Sequence, residues 1–326
     1  MSIVTTGFFD GVHLGHRHVL EAVVSRARER REEAVVVTFW PHPRTVLQQD
    51  ARDFRLLSSL EEKRSLLLEA GVDRVEVLPF TREFAALTAQ EYLQLLKDKF
   101  GASLVVMGYD NRIGSDRRTA SELVNSAVRP DSPVSPSTKM ADLVSVGGKS
   151  GSPSTEMADL VSVGGESGSP GTEMACLVSE TGTPISSTAI RRELQTGDVE
   201  AAAKMLGYAY GLYGVVVAGN RMGRSIGFPT ANMQLYEPLK LVPANGVYAV
   251  EVEVVRGHFR GMCNIGVRPT VGGQTRTIET HILDFDEDIY GLPLRIRFLR
   301  RLRDERKFPS LEALREQLLL DAVACL

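Results

Sequence analysis

Two clusters of residues in this chain have the types and spacing for phosphate chemistry. The first is Gly7-Phe8-Phe9-Asp10-Gly11-Val12-His13-Leu14-Gly15-His16. Its core, His13-Leu14-Gly15-His16, stands where a short apolar strand, Ser2–Thr6, gives way to a helix. A helix N-terminus offers unpaired N–H groups and partial positive charge to a phosphate, and Gly15 lets the backbone approach closely. Two imidazoles one turn apart can donate hydrogen bonds to a phosphorus centre as charge builds on it, and a transferring nucleotidyl group needs that stabilisation and no covalent protein nucleophile. Ser186-Ser187-Thr188 precedes an amphipathic helix with Ile190, Arg191 and Arg192. Its hydroxyls, its N–H groups and Arg191 could clamp a pyrophosphate. Read alone, the histidines also fit a capped surface turn, and Ser-Ser-Thr a plain helix cap.

The second cluster is Gly223-Arg224-Ser225-Ile226-Gly227-Phe228-Pro229-Thr230-Ala231-Asn232. Gly223, Arg224 and Gly227 could form a loop over a phosphate, and Thr230 and Asn232 offer oxygen ligands for Mg²⁺ and a nucleotide. Glu279 and His281 lie two apart on one face of a strand Thr277–Phe285, and a carboxylate so placed could accept the proton of an attacking hydroxyl. The duller readings are a turn for the glycines and a solvated face for Glu279. Arg300, Arg301, Arg303, Arg306 and Lys307 form a basic run that reads either as a solvated approach to the last helix or as a contact with phosphate or a flavin ring.

The elements that must position these residues fall into two styles. In the first, strands and helices alternate. After Gly15, Val19, Leu20, Val23, Val24 and Ala27 recur at helical spacing. Ala34–Phe39 is a β-branched run suited to a strand buried on both faces. Glu61–Ala70 is a helix and Val72–Phe80 a strand. Thr88 with Glu91 forms a capping box for a helix through Lys99, and Leu104–Gly108 is another strand. This order predicts a parallel sheet with flanking helices, and Gly7–His16, Trp40–Arg44 and Gly108–Gly114 all fall at carboxyl ends of strands, where ligands of such sheets sit. From about Tyr210 the period becomes two. Tyr248–Val254, His258–Val267, Thr277–Phe285 and Leu294–Arg303 read as antiparallel strands of a small barrel, closed by a helix from the N-cap Ser310.

Between the halves, Ser135–Gly151, Ser152–Gly168 and the segment from Ser169 repeat with a period of 17. Each unit is dominated by Ser, Gly and Pro, so we expect an expanded loop and not a solenoid. Leu177–Ser179, in the copy nearest Ser186, is expected to hold a strand position, with the earlier copies extruded.

The 326 residues suffice for two domains. Hydrophobic content of 43% and charged content of 24% are those of a globular protein. A net charge of -3 argues against a general nucleic-acid or anionic-membrane binder. No apolar stretch reaches membrane-span length, no leader is expected at Met1, and the isolated Cys176, Cys263 and Cys325 suit a reducing cytoplasm.

These motifs together resemble the bacterial bifunctional riboflavin kinase/FAD synthetases. The resemblance takes in Thr6–Arg17, Thr38–Arg44, Glu62-Lys63, Gly71–Asp73, Pro79–Thr81, Ile185–Arg191, Gly219–Asn232, Asn245–Tyr248, Asn264–Gly266, Glu279–Gly291 and Leu302–Phe308. It implies a Rossmann-like nucleotidyltransferase domain over 1–205, carrying the repeat insertion at about 131–182, and a barrel kinase domain over 206–326. The implied activities are phosphorylation of riboflavin by ATP and adenylyl transfer from ATP to FMN, both with Mg²⁺. By motif, His13 and His16 would stabilise the α-phosphate transition state. Gly7, Phe9, Asp10 and Gly15 would lie against the nucleotide. Ser186, Ser187, Thr188 and Arg191 would hold pyrophosphate. In the kinase domain Gly223, Arg224, Gly227, Thr230 and Asn232 would bind ATP phosphates, Thr230 and Asn232 also the metal, and Glu279 would be the base. Asp110 and Trp40–Arg44 would lie near flavin or adenine, and Arg303 in the flavin-side loop. Two other readings remain open: a kinase with an impaired first domain, and a non-catalytic flavin sensor on the same scaffold.

Overall fold

The computed structural model describes residues 1–47, 54–108, 111–119, 122–123, 161–163, 171–175, 185–219, 222–270 and 273–326. They form two compact units that do not follow chain order. One comprises Met1–Phe8, His18–Val46 and Leu67–Gly182; the other comprises Phe9–Arg17, Leu47–Leu66 and Thr183–Leu326.

The first unit is built on β1 (Ser2–Thr6), β2 (Glu33–Trp40), β3 (Arg74–Pro79) and β4 (Ala102–Gly108), all mutually parallel in the order β3-β2-β1-β4. Ala34–Phe39 is buried along its whole length, as a strand covered on both faces must be. The helix Ala89–Phe100 has the expected capping box, Thr88 with Glu91, and ends on Gly101 at φ 67°, a left-handed cap. Its Tyr92, Leu93, Leu96 and Phe100 share a core with Val4, Val35, Val37, Val105 and Met107. A ribbon of β5 (Arg112–Ile113) and β6 (Arg118–Thr119) follows β4. Strand order reverses between β1 and β4, the place where open α/β sheets take their ligands. There Asn111 Nδ2 donates to the Thr6 carbonyl at 3.0 Å.

The repeats add to this sheet in a way the sequence did not predict. β8 (Gly171–Ala175) extends it parallel to β4, and β7 (Val161–Val163) pairs antiparallel with β8. The added strand is therefore Gly171–Ala175, while Leu177–Ser179 lies outside the described residues. The second copy, expected to be extruded, supplies β7. Pairing at an open edge uses backbone N–H and C=O groups, so side-chain pattern selects the register only weakly.

The second unit contains a closed antiparallel barrel in the order β10-β13-β12-β11-β14-β9. Its strands are β9 (Gly211–Val217), β10 (Ala231–Leu235), β11 (Gly246–Val254), β12 (Gly257–Thr270), β13 (Gly273–Ile282) and β14 (Pro293–Arg303). The helix Leu311–Cys325 follows, with Ser310 accepting from Ala313 N as N-cap. Val250, Val252, Ile278, Ile296 and Phe298 fill the barrel. The same core takes in Leu57, Ile190 and Leu194 on the helix Ser187–Thr196, and Val199, Ala202 and Leu206 on the helix Val199–Leu206. Among the described residues no helix is long and apolar enough to cross a membrane.

Candidate active sites

The turn after β1 is strained, and Phe9, Asp10, Val12 and His13 within it are buried. Phe9 and Val12 take positive φ of 47° and 37°, beside Gly11 at 82°. A β-branched residue in that region is held there only by its surroundings. Here the hold is Asp10. Its carboxylate, 4% exposed, accepts from Leu57 N and Ser58 N, each at 3.0 Å, and from Ser58 Oγ, and it pairs with Arg191. Ser58 Oγ also accepts from Gly11 N at 3.0 Å.

His13 and His16 emerge from this turn as a stacked pair, ring centroids 3.7 Å apart and planes 18° from parallel. Gly15 makes the stack possible, because a Cβ there would meet the His13 ring at 3.2 Å. Phe9 is buried edge-on against His16 at 5.2 Å, so its side chain buttresses a histidine. Burial lowers the His13 pKa to about 4, against the raising effect of Asp10. Burial also takes His16 well below its usual value, helped by His13 and Lys63. Both rings are neutral at pH 7. His13 Nδ1 accepts from the His16 backbone N–H at 3.3 Å, so its single proton sits on Nε2. His16 Nδ1 is buried with no hydrogen-bond partner among the described residues.

The Ser186–Arg191 segment stands at this turn. Ser186 caps the helix Ser187–Thr196, accepting from Ala189 N. Ser187 Oγ donates to the Asp10 carbonyl at 3.0 Å. Thr188 is exposed. Arg191 is held by Asp10, by the Arg55 carbonyl at 2.8 Å and over the Phe54 ring at 5.0 Å. Lys63 joins this turn from the Glu62-Lys63 pair, to which sequence alone gives no role; it is 3% exposed, and burial lowers its pKa to about 8 against the pull of Asp10. Nothing in its sequence context marks Lys63 as buried. In the first unit, Gly7 N donates to the Val37 carbonyl at 3.1 Å, and Phe8 packs on His42 at 4.9 Å within an aromatic group that includes Phe39 and Phe80. Asp110 lies outside the described residues.

The other cluster is set by barrel register. Glu279 on β13 stands opposite Asn232 on β10 and opposite Asn264 on β12. Directly opposed residues of antiparallel strands share a face, so Asn232, Glu279 and Asn264 form one polar row. Thr277 Oγ1 donates to Glu279 Oε1 at 3.2 Å. Sequence alone gives Asn264 no role; register against Glu279 reveals it. Gly219 presses on Asn232, since a Cβ there would lie 2.2 Å from Asn232 Nδ2. Gly223 lies in the short helix Met222–Ser225, packed so that a Cβ would meet the Phe228 carbonyl at 2.1 Å, and Gly227 takes φ 85° in open space. His281 Nδ1 is 2.7 Å from the Pro229 carbonyl, fixing the residue before Thr230. A cavity of about 350 Å³ is lined by Arg224, Thr230, Thr280, Asp286 and Tyr290. Arg303 ends β14, and its guanidinium is bound to the buried Asp321 at 2.7–3.1 Å.

The riboflavin kinase family model matches residues 206–325, and the FAD synthetase family model matches residues 1–146. A Bacillus subtilis protein described as a bifunctional riboflavin kinase/FMN adenylyltransferase is 33% identical over 320 residues, covering 97% of this chain and 89% of the relative. An Escherichia coli K12 protein of the same description is 34% identical over 321 residues, covering 98% and 90%. A crystal structure from Streptococcus pneumoniae, described as a macrolide-efflux protein, superposes with a TM-score of 0.82 at 32% identity, covering 99% of this chain and 93% of that one.

Proposed function

We propose a residue-level division of labour from one premise: the chain belongs to the family of bifunctional riboflavin kinase/FMN adenylyltransferases. It phosphorylates riboflavin with ATP to give FMN, and transfers AMP from ATP to FMN to give FAD and pyrophosphate. The proposal concerns which residues do each. We assign residues 1–205 to adenylyl transfer and 206–326 to the kinase.

For adenylyl transfer the supporting observation is the neutral, stacked His13–His16 pair beside the Ser186–Arg191 helix start. Nε2–H of His13 and the N–H of His16 donate to the α-phosphate as negative charge builds there, while the FMN phosphate attacks. Ser186, Ser187, Thr188 and the helix N–H groups take the departing pyrophosphate, and Arg191 moves from Asp10 toward it. Phe9 and Gly15 keep the histidines stacked. Gly7 and Asp10 shape the turn that receives the nucleotide, and we assign Trp40–Arg44, with Asp110 from outside the described residues, to flavin or adenine.

For the kinase the supporting observation is the Asn232–Glu279–Asn264 row. Glu279 accepts the proton of the ribityl hydroxyl as it attacks the γ-phosphate of ATP. Gly223, Arg224 and Gly227 cover the phosphates, the cavity beside Thr230 takes the nucleotide, and Arg303 frames the flavin side. The donors fit Mg²⁺: Thr230 and Asn232 supply neutral, hard oxygens next to one carboxylate, and among the described residues no cluster of three or more His, Cys, Asp or Glu side chains could hold a metal unaided. Such a set suits an ion that arrives with the nucleotide's phosphates, whose charge it offsets when bound. A cytoplasmic location belongs to the same proposal, in keeping with the free thiols of Cys263 and Cys325.

The test is a chromatographic time course with riboflavin, excess ATP and Mg²⁺. FMN should appear first and FAD after it. FMN alone would remove the adenylyl half of the assignment; neither product, with flavin still bound, would leave a sensor.

A further inference from the structure

One buried lysine connects the barrel to the histidine turn. Lys240 lies in the half of the chain matched by the riboflavin kinase model. It is 6% exposed, its Nζ is 2.5 Å from Glu62 Oε2, and it sits 4.9 Å from the centre of the Tyr210 ring. Glu62 belongs to the half matched by the FAD synthetase model. The same Glu62 oxygen accepts from Ser59 N at 2.8 Å, and Ser59 Oγ accepts from Glu62 N at 3.1 Å. This closes a capping box at the start of the helix Leu60–Glu69. Immediately upstream, Leu56 N donates to the Leu239 carbonyl and Leu241 N to the Leu56 carbonyl, both at 2.8 Å. The next two residues, Leu57 and Ser58, are the ones whose N–H groups hold the Asp10 carboxylate. Asp10 in turn pairs with Arg191, and its carbonyl accepts from Ser187. All of these residues lie in the second compact unit.

We propose that Lys240 is a positioning residue for adenylyl transfer: by gripping the Ser59–Glu62 cap it sets where Leu57 and Ser58 hold the Asp10 turn that carries His13 and His16. This rests on assigning those histidines to adenylyl transfer. Lys240 touches neither the Asn232–Glu279–Asn264 row nor the cavity beside Thr230. A charge withdrawn from water must be matched by a partner of opposite charge, and Glu62 is that partner. The pair therefore fixes the Leu56–Glu62 segment more sharply than two backbone hydrogen bonds alone. Transfer chemistry is sensitive to such placement, since an error near 1 Å in a reacting group can cost about a hundredfold in rate.

The experiment uses the full chain with Lys240→Met, Lys240→Arg and the uncharged pair Glu62→Gln/Lys240→Met, with His16→Ala as control. Steady-state kinetics of riboflavin phosphorylation and of FMN adenylylation are measured separately for each. For Lys240→Met, adenylyl kcat should fall about tenfold or more, with KM for FMN and ATP nearly constant. Riboflavin kinase kcat should stay within about twofold, a split that a general loss of stability would not produce. Lys240→Arg should recover most of the adenylyl rate. If Lys240→Met does not fold, the uncharged pair carries the test through the same split. Equal loss of both activities, or an undiminished adenylyl kcat in a folded variant, would overturn the proposal. Retention of adenylyl transfer by His16→Ala would instead remove the histidine assignment on which it rests.

Discussion

His13 and His16 are separated by one helical turn in sequence, but their chemistry depends on being desolvated by burial and stacked. A neutral ring donates one hydrogen bond, from Nε2 in the case of His13, without repelling the Mg²⁺ that ATP brings. Removing one donor aimed at a developing charge typically costs about a hundredfold or more in kcat. His16→Ala should therefore lower FMN-to-FAD conversion by about that much and leave FMN formation intact. Glu279→Gln should do the converse, since general base catalysis supplies about a hundredfold or more. If either variant depresses both steps together, the division of labour proposed above is wrong.

Burial of His13 also makes stability depend on pH in a stated direction. The unfolded chain binds a proton at this residue near pH 6.5, whereas the folded protein resists until about 4. Between those values the unfolded state holds more protons, so stability falls as the pH drops through the window and is fully present above it. The loss from His13 alone is on the order of 3 kcal/mol. Urea unfolding of the parent and of His13→Asn at pH 7 and pH 4.5 checks this. The parent should lose the greater stability on acidification; equal losses would show that His13 is not buried as a free base.

Local sequence named most of the helices and strands. Thr88 with Glu91 and Ser310 with its following helix are caps whose partners lie within three residues, so sequence spacing alone locates them. Ala34–Phe39 was legible because a strand covered on both faces must be continuously apolar. β10 was harder to read. Its first residues, Ala231 and Asn232, are part of the Gly223–Asn232 motif, and the chemistry of that motif hides the strand. The helix Val199–Leu206 was also not anticipated, although Asp198 caps it and Ala202 and Leu206 are buried. β8 was misplaced for a different reason: three near-identical copies compete for one sheet edge, and local preference cannot choose among them.

The whole molecule groups residues that the sequence keeps apart. The segments Phe9–Arg17 and Leu47–Leu66 belong to one compact unit with Thr183–Leu326, while β1 and most of the helix after it belong to the other. The proposed division at residue 205 follows the start of the riboflavin kinase match at 206, whereas compactness divides the chain elsewhere. The repeats bear on this scale too. The entropy of closing a chain segment grows only slowly with its length, by about 0.6 kcal/mol per doubling. Excision of Ser135–Gly151 leaves β7 and β8 in the chain, so melting temperature and both activities should be nearly unchanged. A selective loss of FAD formation on excision would show that the first copy contributes to adenylyl transfer.

The sequence by itself determined the fold class and, through its resemblance to a known family, the two reactions; the histidine, hydroxyl and glutamate roles it offered stand as a proposal. Fold class is encoded by residue types at short fixed spacings, which backbone geometry turns into a shared turn, cap or strand face. What tertiary structure alone decided is which distant groups meet: Asp10 with Leu57, Ser58 and Arg191, Asn264 with Glu279 and Asn232, and Lys240 with Glu62. Those meetings depend on strand register and on burial, which raise or lower the cost of a charge according to everything packed around it. Neither quantity is a property of any short stretch of chain.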